Sequence, residues 1–158
     1  MIHVKDGDRT LQFNGKLLGK SSSQKRDSVR WIEFSLYRTE SGSYVLSRVG
    51  VSVIYHVAAC HLVKRYNLQE VQTGSVENPR DLLPCDQCAP SLAAEVIFPE
   101  KNRHWAQVSD DPSAVLEALY KYDNSGARYL THVAQRVLEE ASQADRGIES
   151  VYKVEIIP

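Results

Sequence analysis

The sequence predicts an α+β fold: an N-terminal antiparallel β-meander, a zinc-knotted middle, then a C-terminal helical pair and a closing strand. Three observations lead there. Residues Trp31 to Arg38 alternate in hydropathy, with Ile32, Phe34 and Leu36 on one face and Trp31, Glu33, Ser35 and Tyr37 on the other. Beyond Asp111 the apolar residues change to helical spacing. Between these halves, His56-Val57-Ala58-Ala59-Cys60-His61 and Leu83-Pro84-Cys85-Asp86-Gln87-Cys88 hold all three cysteines of the chain.

Ile2 and Val4, then Leu11 and Phe13, alternate with polar residues around turn signals at Asp6-Gly7-Asp8 and Asn14-Gly15, the latter suited to a tight hairpin turn. Gly19 to Ser28 is polar and without periodicity, and reads as a loop. After the strand at Trp31 to Arg38, Glu40-Ser41-Gly42-Ser43 turns the chain into a β-rich run from Tyr44 to Tyr55. Tyr55 to Tyr66 fits either a short helix or a strand followed by a loop, and Asn67 to Arg80 a long loop. Glu95 to Phe98 and His104 to Val108 read as a hairpin around Pro99-Glu100-Lys101-Asn102-Arg103. Asp111 then caps a helix with Pro112 at its first position, and Val115, Leu116, Leu119 and Tyr120 follow at helical spacing. Asn124-Ser125-Gly126 breaks it. A second helix runs from near Gly126 to about Asp145 on a stripe of Leu130, Val133, Ala134, Val137, Leu138 and Ala141, with Gly147 as its stop. Val151 to Ile157 alternates again and reads as a last strand returning to the sheet.

At 158 residues the expectation is one domain, 1–158, with an internal zinc-binding segment at about 55–90. A net charge of −1 argues against a protein built mainly to coat nucleic acid or an anionic membrane. No run of apolar residues is long enough for a spanning helix. The opening residues lack the apolar core of a signal peptide, and an odd cysteine count suits thiols kept reduced, so a cytoplasmic location is expected.

Cys85-x-x-Cys88 lets two thiolates face one cation from a single tight turn, and His56 and Cys60, four apart, share a face if that segment is helical. The expected ligand set is therefore His56, Cys60, Cys85 and Cys88 around a structural Zn²⁺, with His61 as the alternative to Cys60 and His104 as a further candidate. The competing readings of the pair are a redox couple or two plain buried residues; Pro84 and Pro90 favour a rigid turn over the helix start that a redox couple wants.

Pro84-Cys85-Asp86-Gln87-Cys88, with His56 upstream, resembles the zinc-dependent cytidine and adenosine deaminases. That resemblance implies a zinc enzyme in which a glutamate two residues after the histidine shuttles a proton. Here that position is Ala58, so the resemblance extends to the metal ligands and not to the proton carrier. A zinc-dependent hydrolase or a degenerate deaminase-like enzyme is accordingly the alternative to a non-enzymatic binding module.

Other arrangements have simpler explanations. Asp110-Asp111 sits ahead of a helix and suits capping, while Glu139-Glu140 lies on the solvated face of a helix. Nothing in the spacing supports a nucleophilic pair of Cys60 and His132. Lys16, Lys20, Lys25, Arg26 and Arg30 gather in a Ser-rich stretch leading to Trp31, which provides phosphate contacts and a ring for stacking, or simply a solvated loop. Tyr37, Tyr44 and Tyr55 form either an aromatic surface for a protein partner or a covered sheet face. The sequence thus leads to a zinc-stabilised module that recognises a protein or a nucleic acid.

Overall fold

The computed structural model describes residues 1–26, 30–52 and 101–158. These residues form antiparallel sheets and helices, a mixed architecture of α+β type. The chain divides into two compact units, one of Met1–Ser23, Ile32–Val49 and His104–Pro158, the other of Gln24–Trp31 and Gly50–Arg103. Most of the described residues belong to the first.

Strands β1 (Ile2–Asp6) and β2 (Arg9–Phe13) pair in antiparallel register around a turn at Gly7-Asp8. The turn expected at Asp6-Gly7-Asp8 is therefore present. Asn14-Gly15 is not a hairpin turn: β3 (Gly15–Ser22) starts one residue after β2 ends and belongs to a different sheet. That sheet has the order β3-β4-β5-β6, with β4 (Arg30–Thr39), β5 (Tyr44–Ser52) and β6 (Lys101–Ser109). The strand expected at Trp31 to Arg38 is β4, and Phe34 and Leu36 are buried on its core side as their alternation requires. Gly19 to Ser22, read from sequence as loop, is strand: its serines lie beside β4 and helix and gain their order from those neighbours. β6 also begins earlier than expected, taking in the Lys101 to Arg103 stretch read as turn, while Glu95 to Phe98 lies outside the described residues.

A register shift between Leu17 and Gly19 inserts Leu18 as an extra residue into β3. The bulge buries Leu18 and brings Gly19 against helix α2 (His132–Ala144). A Cβ on Gly19 would stand 2.9 Å from Val137 O and 3.0 Å from Ala141 N, so the absent side chain permits strand and helix backbones to meet. On α2, Val133, Ala134, Val137, Leu138 and Ala141 are all buried, as the expected stripe requires. With Leu36, Tyr44, Leu46, Val115, Leu119 and Ile148 they make the core. Burying each of the larger aliphatic side chains contributes about 1.5–3 kcal/mol.

The turn of the β1–β2 hairpin ties to β6: Gly7 N donates to His104 O at 2.9 Å, and Ala106 N donates to Asp6 Oδ1 at 3.1 Å. These bonds satisfy backbone groups on a strand edge that would otherwise stay open.

Helix α1 (Pro112–Leu119) starts as expected, with Asp111 accepting from Ser113 N at 2.8 Å and Pro112 in the first turn. The second helix does not begin near Gly126. Residues 121–129 form a hairpin, β7 (Lys121–Tyr122) with β8 (Arg128–Tyr129), and Thr131 caps α2. At the hairpin's tip, Asp123 Oδ1 accepts from Ser125 N, Ser125 Oγ and Ala127 N, an alternative that competes with helix for the same backbone groups.

The closing strand is also corrected. Val151 and Tyr152 end helix α3 (Arg146–Tyr152), and Val154 to Pro158 has no regular structure. Gly147, read as a stop, lies inside α3. Asp145 ends α2 and caps α3, accepting from Ile148 N at 3.0 Å, so a carboxylate performs the punctuation assigned to the glycine.

Candidate functional site

His56, Cys60, His61, Cys85 and Cys88 lie outside the described residues, as does Tyr55. His104 is on β6, half-buried. No group of three or more His, Cys, Asp or Glu side chains among the described residues is placed to hold a metal ion. His132, at the first position of α2, is exposed.

The titratable groups most changed by their surroundings serve the fold. Asp145, 5% exposed, accepts from Arg38 Nη1 at 2.5 Å, from Tyr44 Oη at 2.7 Å and from Ile148 N. Burial by itself raises its pKa. The bonds from Tyr44, Ile148 N and Arg38, with the guanidinium charge, outweigh that and hold the carboxyl below its ordinary range. Burial first, then the hydrogen bond to Asp145 and its charge, push the Tyr44 hydroxyl up to about 12. The Arg38 guanidinium also lies over the Tyr44 ring, 5.1 Å from its centre. Tyr44 thus faces the core and is no part of an outer aromatic surface, whereas Tyr37 meets Phe13 edge-on at 5.5 Å. Elsewhere, Asp6 is lowered first by Arg9 and Asp123 first by Ser125, while Lys153 is raised by Glu139, which it meets at 2.6 Å. Asp110 accepts from the Ser43 hydroxyl.

The basic stretch divides differently from its reading as one loop. Lys16 and Lys20 are exposed on β3, Lys25 and Arg26 are exposed beyond its end, and Arg30 opens β4. Trp31 is only 8% exposed, so the ring expected to stack on a base is inside the protein.

Lys20 stands opposite Ser35 in the β3–β4 register, and an open cavity of about 460 Å³ lies there, lined by Lys20, Ser21, Ser22, Glu33, Phe34 and Ser35. Ser21 Oγ donates to Val133 O at 2.6 Å, and the Arg136 guanidinium donates to Ser22 O. The lining thus sets one cation, Lys20, and one carboxylate, Glu33, among serines, with the Arg136 guanidinium held on Ser22 O. Sequence reasoning missed Arg136, which reaches Ser22 from α2 across 114 positions of chain. It also missed the tyrosines at the β7–β8 hairpin: Tyr122 is 62% and Tyr129 45% exposed. Their short strands are hidden from periodicity arguments, which need longer runs. No protein-family model, no curated protein and no solved structure matches this chain.

Proposed function

We propose that this chain is a non-enzymatic, zinc-stabilised cytoplasmic module that binds a nucleic-acid partner. Cys85 and Cys88, with two of His56, Cys60 and His61, would hold the Zn²⁺ as a structural ion. Lys20, Lys25, Arg26 and Arg30 supply the phosphate contacts. The observation that supports this reading is the open cavity beside Lys20, lined by Ser21, Ser22 and Ser35 together with Glu33 and Phe34. A protein partner is the competing occupant. No described helix is long and apolar enough to cross a membrane.

Two measurements test the reading. Elemental analysis of protein purified without added zinc is expected to give one Zn²⁺ per chain, and Cys85→Ser to lose it; no metal in the parent protein refutes the zinc assignment. Three protein ligands plus a water at the metal would instead favour the zinc-enzyme alternative. Binding to a labelled single-stranded oligonucleotide is expected to fall steeply between about 50 and 200 mM salt. It is also expected to vanish when Lys25 and Arg26 are both changed to Glu. Binding indifferent to salt and to those changes removes nucleic acid as the partner.

A further inference from the structure

We propose that Asn14 is a site of spontaneous covalent modification, where the backbone nitrogen of Gly15 closes a succinimide ring and deamidates the side chain. Asn14-Gly15 has the sequence of a hairpin turn, yet Asn14 is the single-residue link from β2 into the edge strand β3.

The ring closes when the nitrogen of the following residue is free and unshielded, and the pairing of β3 with β4 leaves it so. Glu40 N donates to Asn14 O at 2.9 Å, and Gly15 stands opposite Thr39. Bonded and non-bonded pairs alternate along an antiparallel ladder, so the Gly15–Thr39 pair, next to the Asn14–Glu40 bond, is a non-bonded one. Thr39 N accordingly donates to Ser43 O, away from β3, and the Gly15 N–H faces outward from the edge of the sheet. No side chain shields that nitrogen, and the fold requires this, because a Cβ on Gly15 would run into Arg38 O. Asn14 and Gly15 are both exposed, and an open cavity of about 270 Å³ at Gly15, lined also by Lys16, Arg38, Thr39 and Glu40, admits water and hydroxide.

Comparable positions are closed. At Asp6-Gly7 the glycine nitrogen donates to His104 O at 2.9 Å, and the carboxylate accepts from Arg9 and from Ala106 N. After Asn124, Ser125 N donates to Asp123 Oδ1 at 2.8 Å.

Hydroxide removes the Gly15 amide proton, the nitrogen bonds to Asn14 Cγ, and the Cγ–Nδ2 bond breaks to release ammonia. Water then opens the ring at either carbonyl, which leaves aspartate or isoaspartate at position 14. Both products add a negative charge beside Glu40, and isoaspartate also adds a methylene to the main chain between β2 and β3. The attack needs the Asn14 peptide to turn, which breaks the one bond from Glu40 N, a local opening that leaves the core intact.

The test incubates the full chain at mildly alkaline pH, folded and in parallel unfolded in urea, and follows its tryptic peptides by mass spectrometry. In the folded protein, Thr10–Lys16 is expected to gain the mass difference between a hydroxyl and an NH₂ group at a rate within about tenfold of the unfolded chain's. Folding is expected to slow the peptide Tyr122–Arg128, which holds Asn124, by a larger factor. Methylation by an isoaspartate-specific methyltransferase identifies the ring-opened product. Asn14→Gln, which closes such a ring poorly, is expected to abolish the gain, and circular dichroism confirms that this variant retains its helices. A Thr10–Lys16 peptide that reacts in urea but stays unchanged in the folded protein overturns the proposal. Fragmentation that places the added mass on Gln12, or a gain that persists in Asn14→Gln, overturns it equally.

Discussion

Replacing Asp145 by Ala removes three interactions of different worth. The cap of α3 goes with the bond to Ile148 N, which costs about 1 kcal/mol. The Tyr44 hydroxyl loses its acceptor while its residue is 98% inaccessible, and stranding a buried donor costs about 1–3 kcal/mol. The ion pair with Arg38 adds under about 1 kcal/mol, because the Arg38 side chain is 39% exposed and turns to water when released. Together the expected loss is about 3 kcal/mol, a large fraction of the ~5–15 kcal/mol that holds a domain folded. Urea unfolding at neutral pH, followed by the helical circular dichroism signal, reads this as a midpoint about 1–2 M lower with unchanged slope. A second variant isolates the buried contact. Tyr44→Phe costs about 1 kcal/mol in the parent and little in Asp145→Ala, a coupling of about 1 kcal/mol or more. A total loss below about 1 kcal/mol, no more than a helix cap, would refute the account of Asp145 as the joint between sheet and helices.

Three further outcomes rest on the same packing. Gly147→Ala places a methyl group against the Tyr44 hydroxyl, so the expected result is a loss of about 1–2 kcal/mol in the same urea assay, although alanine ordinarily favours helix. Gly19→Ala sets a Cβ within 3.0 Å of the α2 backbone and is expected to lower the thermal midpoint through that clash, whereas Gly7→Ala meets no neighbour and costs only the strain of its positive φ of 58°. The pH profile should be bounded on both sides. Asp145 has a lowered folded pKa, so its contribution is present above about 4 and fades as pH falls through the folded value. Tyr44 has a raised one, so its contribution is whole below about 10 and fades as pH climbs toward about 12. Thermal melts of Tyr44→Phe should be flatter than the parent's in that alkaline window.

Much of the fold was legible because its pattern is long and one-sided. The ten residues of β4 and the thirteen of α2 each carry enough alternating or 3.6-period apolar positions to fix type and buried face. Asp111-Pro112 gave the start of α1 from two residues, because cap and ring geometry are local properties. The cysteine and histidine motifs fixed which side chains suit a metal; their placement lies outside the described residues.

What the chain order could not disclose was set by contacts distant in sequence. Ser21 and Ser22 count as loop formers until Val133 and Arg136 meet them. The tail from Val151 alternates like a strand, yet Ile148 is buried in the core and Asp145 binds Arg38 and Tyr44, so helix claims its first two residues. Local propensity differs between such alternatives by only a few tenths of a kcal/mol per residue, and a single buried contact exceeds that. Residue type and spacing therefore determined the class, the long elements and the candidate metal ligands of this protein. Which rings lie inside, which stay exposed, and where α2 ends were decided by packing, because burial depends on the partner that covers a face.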